Sequence, residues 1–154
     1  MRLSSADRRL LEALQTDATR SQVELAEIAG MSRSSCWRRI RDFEESGLIE
    51  RQVAIVNPQK AGLQIQVLLA VAMTEHTDQN QQDFENHVQT LPEVTACYSV
   101  SGERDHVLHV VVKDMESYNQ FLTSQILKHP TVRSASSTFI MHRVKYTTQV
   151  HLVD

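Results

Sequence analysis

Along the N-terminal third of the chain, apolar residues recur three and four positions apart, the spacing of one helix face. Beyond it they fall into short runs and alternations that suit strands. Leu10, Leu11 and Leu14 define a first helix, which Ser5 is placed to cap, with Asp7 in the first turn where the helix dipole favours a carboxylate. Ser21 and Glu24 read as the two ends of a capping box. The helix they open carries Val23, Leu25, Ala26, Ile28 and Ala29 and stops at Gly30. After the tight turn Gly30-Met31-Ser32, Ser32 caps a third helix, and two short helices joined in this way form a helix-turn-helix. On the third helix Cys36, Ile40 and Phe43 share the core face, Ser34, Arg38 and Arg41 point the opposite way, and Trp37 and Arg39 flank the two sides.

The pattern then changes. Val53 and Ile55 alternate with polar or small neighbours, which predicts a short linking strand; Asn57-Pro58 ends it and Gly62 permits a turn. These breakers divide the chain into residues 1–56, a linker at 57–63, and a second module at 64–154. In the second module the expected elements are strands at 65–73, 94–101, 106–112 and 132–141, with helices at 81–91 and 115–127. The first helix carries Phe84, Val88 and Leu91 on one face; the second presents Met115, Tyr118, Leu122 and Ile126. The order βαββαβ is the ferredoxin-like motif, so the fold class is α+β. Two helices cover only one face of such a sheet. Yet the first strand is apolar on both, with Ile65, Val67, Leu69 and Val71 on one side and Leu68, Ala70 and Ala72 on the other. The third strand repeats this, with Val107 and Val111 facing one way and Leu108, Val110 and Val112 the other. A second copy of the sheet is the economical cover, which predicts a two-fold homodimer.

Charge separates the modules further. Residues 1–60 carry ten Lys/Arg against nine Asp/Glu, and nine of those ten cations are arginines; residues 61–154 carry six against ten and all seven histidines. Two modules with different partners have this asymmetry. The serines and arginines at the start of the third helix suit phosphates and base edges in a major groove. The expected contacts with double-stranded DNA are therefore Ser32, Arg33, Ser34, Ser35, Trp37, Arg38 and Arg41, with Glu44 and Glu45 keeping the far end of the helix away. Trp37 either braces the helix or packs along the sugar-phosphate edge. A charged helix face is most often simply solvated. Here the preceding helix, the glycine turn and the serine-rich start favour DNA contact.

The stretch "VELAEIAGMSRSSCWRRIRDFEESGLIE" resembles the helix-turn-helix of leucine-responsive (Lrp/AsnC-type) bacterial and archaeal regulators, with Phe43 where the family usually has leucine. "ADRRLLEALQTDATRS" resembles the family's first helix and following loop, and the likeness runs nearly end to end. The resemblance implies a sequence-specific transcriptional regulator with a winged-type helix-turn-helix domain and a ferredoxin-like (RAM) domain. That second domain dimerises, assembles into tetramers or octamers, and binds a free amino acid that modulates assembly or DNA binding. The family's effector lies near the loop joining the second and third strands, whose G-x-x-D pattern matches Gly102, Glu103, Arg104 and Asp105, followed by His106. A glycine there lets backbone N–H groups approach a carboxylate, and Asp105 suits an ammonium group. By alignment Ser136 and Ser137 of a neighbouring subunit complete the pocket. Arg104 departs from the family, which often has an apolar or aromatic residue at that place.

Other chemistry finds little support. Two cysteines, Cys36 and Cys97, make neither a disulfide framework nor a zinc site, so a reducing, cytoplasmic setting is expected. Both read as core residues, Cys97 rather than a nucleophile and Cys36 rather than an oxidation sensor. His106 and His109 are three apart on a strand and cannot share an ion; the remaining histidines lack ligand spacing. No metal, cofactor or catalytic residue is expected, and no apolar run approaches the ~20 residues of a membrane span. The alternative reading is a ferredoxin-like metabolite-binding or enzymatic domain with an N-terminal protein-interaction module.

Overall fold

The structure, a computed structural model, describes residues 2–153. It divides into two compact units: Met1–Ile55 together with Lys145–Asp154, and Val56–Val144.

The first unit holds α1 (Ser5–Thr16), α2 (Gln22–Ala29) and α3 (Arg33–Glu45). Ser4, not Ser5, caps α1: its backbone is extended and its hydroxyl accepts the Asp7 N–H, while the Asp7 carboxylate accepts the Ser4 N–H. Ser4 therefore closes a capping box at α1 like the one Ser21 and Glu24 close at α2. Gly30 ends α2 at φ 70°, a left-handed conformation that only glycine adopts without strain, and the Met31 N–H returns to the Ala26 carbonyl. Leu10, Leu11, Leu25, Ala26, Ala29, Cys36 and Phe43 form the core, with Ile40 and Ile49 packed at its margin.

Two features differ from the expectation. Residues 50–56 form no strand: Val53, Ile55 and Val56 stand exposed, since an alternating segment becomes a strand only beside another strand. Residues 145–153, which the sequence places in the second module, group by their contacts with the first unit. The Val150 N–H donates to Gln15 Oε1 at 2.7 Å, Gln149 Nε2 donates to Thr16 Oγ1, and Leu152 joins the helical core.

The second unit holds β1 (Ile65–Met73), α4 (Asp78–Gln89), β2 (Val94–Ser99), β3 (His106–Val112), α5 (Met115–Phe121) and β4 (Val132–Phe139). The strands form an antiparallel sheet ordered β2-β3-β1-β4, the ferredoxin-like arrangement. One face, with Val67, Leu69, Val71, Leu108 and Val110, packs against Phe84, Val88, Tyr118, Phe121 and Ile126 from the helical layer. The second helix is not uniform: α5 passes into a π-helical segment, Leu122–Ile126, before β4. Met115, expected on the buried face, is exposed, and Phe121 takes the interior place. On the other face the register sets Ala70 opposite Val107 and Ser136, with Leu68 and Tyr98 exposed. No helix covers it.

Candidate nucleic-acid interface and ligand loop

The outward surface of α3 follows from what holds its inward side. Cys36 and Phe43 are fully buried, and burial raises the Cys36 thiol above its ordinary value, so it behaves as a small apolar residue. Arg39 points sideways to Asp7, donating from Nε at 2.7 Å and from a terminal nitrogen at 2.9 Å, and also meets Asp42. This bidentate pair ties α3 to the start of α1, a role that helical periodicity alone could not assign. Arg39's hydrogen bonds are the main reason the Asp7 carboxyl is lowered to about 2.

With α3 fixed, its N-terminal half presents the expected residues. The Ser32 hydroxyl accepts the Ser35 N–H and donates to the Ser35 hydroxyl, with the Ser34 hydroxyl 3.2 Å away. Arg33 and Arg38 are exposed, and among the described residues no carboxylate pairs with either. Arg41 is different. It donates to Glu45 at 3.0 Å, one turn on, and its guanidinium lies 5.1 Å from the centre of the Trp37 ring. Gln22, Arg33, Ser34, Ser35, Trp37 and Arg38 line a shallow concavity of about 490 Å³. Gln22 escaped the sequence reading. Its position just after the Ser21 cap was the available signal, since a helix N-terminus offers donors to anions.

The loop between β2 and β3 is built around Gly102, at φ 121°, and Asp105. Asp105 fastens the hairpin to the end of β1: its N–H donates to the Val71 carbonyl, and its carboxylate accepts the Met73 N–H at 2.7 Å. The other carboxylate oxygen lies 2.9 Å from Nδ1 of the exposed His76. Arg104 donates to the Ser134 hydroxyl at 3.1 Å, while Glu103 is exposed. The remaining expected residues separate. His106 turns into the interior, 1% exposed, against Phe84 and Glu85. Ser137 faces the helical layer, 2.6 Å from the Tyr118 hydroxyl, and Ser136 lies on the uncovered face. Successive strand residues point to opposite faces, so Ser136 and Ser137 of one strand cannot line one surface together. Ser134 shares the side of Ser136 and is the serine that Arg104 reaches. His106 and His109 likewise diverge, His109 meeting Thr95. Among the described residues no three His, Cys, Asp or Glu side chains gather as a metal site.

A three-helix unit with an exposed serine- and arginine-lined helix, joined to a βαββαβ unit with one bare face, defines a DNA-binding regulator with a sensory module. The comparisons agree. Residues 66–150 match the Lrp/AsnC ligand binding domain, and residues 3–50 match a winged helix-turn-helix DNA-binding domain. The chain is 32% identical to the DNA-binding transcriptional activator DecR of Escherichia coli (strain K12), over 96% of this chain and 97% of that protein. The solved structure of the transcriptional regulator NMB0573/L-Met complex from Neisseria meningitidis superposes with a TM-score of 0.93 at 29% identity, covering 97% of each chain. An AsnC family transcriptional regulator from Agrobacterium tumefaciens superposes with a TM-score of 0.90 at 36% identity, again covering 97% of each. The chain belongs to the Lrp/AsnC family of transcriptional regulators. It is a DNA-binding protein and not an enzyme.

Proposed function

We propose that this regulator reads duplex DNA through Ser32, Arg33, Ser34, Ser35, Trp37, Arg38 and Arg41, and that a free amino acid bound at the β2–β3 loop tunes that reading. The observation that carries the DNA contacts is the pair of exposed, uncommitted arginines, Arg33 and Arg38, beside three hydroxyls at the start of α3. Phosphate contacts by such groups release counterions, so affinity falls steeply with salt. Arg38→Ala should weaken binding to all sequences and reduce the slope of log K against log salt by about one. An unchanged slope would remove Arg38 from the interface.

For the effector, the Arg104 guanidinium suits a carboxylate, and the Asp105 oxygen facing His76 suits an ammonium group, the exposed His76 being the exchangeable partner. The ligand-binding family model over residues 66–150 and the L-Met complex of the Neisseria protein support this reading. A thermal-shift screen against the twenty amino acids tests it, since a ligand specific to the native state at a hundredfold its Kd adds about 2.7 kcal/mol of stability. Arg104→Ala should abolish the shift and leave binding of free protein to DNA intact. No shift with any amino acid would reject the effector.

The uncovered sheet face supports a homodimer that assembles further to a tetramer or octamer, matching two helix-turn-helix units to a two-fold DNA site. The setting is the cytoplasm, where chromosomal DNA lies.

A further inference from the structure

Trp37 is the exposed large apolar side chain of α3, 48% accessible, among the exposed Arg33, Ser34, Arg38 and Arg41. It stands one turn after Arg33 and one turn before Arg41, within the N-terminal half that a helix-turn-helix inserts toward base edges. Arg41 stacks on one face of the indole and is itself held by Glu45. These contacts hold that face of the ring and leave the other open. The free part of the indole lines the concavity with Ser34 and Arg38 and faces what those residues face. The major-groove floor offers one apolar target, the C5-methyl group of thymine.

We propose that Trp37 is a specificity-determining residue that recognises thymine by contact between the indole and its C5-methyl group, with Arg41 acting as a positioning residue that holds the ring. This deepens the reading of α3 as the DNA-contacting helix and rests on it.

The test uses the full chain and a duplex selected with it from a randomised pool. Each thymine is then replaced singly by deoxyuridine, which removes the methyl group and leaves every hydrogen-bonding group in place. Wild-type protein should lose about fourfold in affinity at one or two thymines per half-site, the worth of one buried methyl-sized group, and should be indifferent at the others. In Trp37→Ala that thymine-to-uracil ratio should fall to one, with the salt slope unchanged; Trp37→Phe should keep part of it. Arg41→Ala should reduce the ratio without abolishing binding. Trp37 is the chain's single tryptophan, so its emission reports this residue alone and should become shielded from acrylamide in the complex. Indifference to deoxyuridine at every position, or equal loss by Trp37→Ala on thymine and uracil duplexes, would overturn the thymine contact while leaving DNA binding by α3 standing. Recovery of no duplex from the pool would instead overturn the reading of α3 on which it rests.

Discussion

Asp7 has three tasks at once: it completes the α1 capping box, ends the helix dipole with a negative charge, and receives Arg39 from α3. Its carboxyl, lowered from 3.8 to about 2 chiefly by Arg39's hydrogen bonds, makes this junction pH-dependent. A carboxyl with a depressed folded-state pKa contributes its stability fully above its unfolded value and loses it as pH falls through the folded one. The contribution, about 2 kcal/mol, should therefore vanish between about pH 4 and pH 2. Asp7→Asn should lower the urea-unfolding free energy at pH 7 by about 2 kcal/mol and flatten that part of the pH profile; an unchanged profile would mean the pair is not stabilising. The sequence pointed to Asp7 as a first-turn acid and to Arg39 as a flank residue. Their contact spans 32 residues of chain and follows from how the helices cross, which no local pattern encodes.

At the scale of elements, the turn between α2 and α3 sets where the DNA-reading helix points. Gly30 holds a positive φ, and a Cβ there would lie 3.3 Å from the Arg9 terminal nitrogen, which donates to the Ala29 carbonyl at 2.7 Å. Gly30→Ala should cost about 1–2 kcal/mol from the left-handed backbone alone, measured by thermal or urea unfolding. It should weaken DNA binding more than it weakens the second unit. The helices and strands themselves were legible because buried faces impose period: Leu10 and Phe84, Val67 and Leu108 all sit where spacing put them. What was hidden depends on partners. Val53 and Ile55 alternate like a strand but pair with no strand among the described residues. At the ligand loop, Gly102 and Asp105 were visible as a turn and a charge. The bond from Arg104 to Ser134 was not, because it depends on the Arg104 side chain reaching across to β4.

At the scale of the molecule, the helix-free face of the sheet is where assembly can be tested. Leu68, 42% exposed, and Val107 belong to that face, near its middle strands. Val107→Asp or Leu68→Asp would place a charge there without touching the helix-packed core. Either variant should run as a monomer by light scattering at micromolar concentration, with its far-UV circular dichroism preserved. It should also lose at least tenfold in affinity for a two-half-site duplex and keep the weaker binding of a half-site. Retention of the oligomer in both would move the interface elsewhere.

The docking of Gln149 and Val150 onto α1 carries a consequence in time rather than space. During synthesis the three helices leave the ribosome early, but the strip that pairs with Gln15 and Thr16 is translated only after the whole sheet module. A nascent chain thus completes its sensory module before its DNA-reading one. Transcripts cut short just beyond β4 should yield a folded sheet joined to a less stable helical unit, with the unit's melting temperature lowered by several degrees. The strip that follows β4 thus steadies the helical unit only once the sheet module has been made.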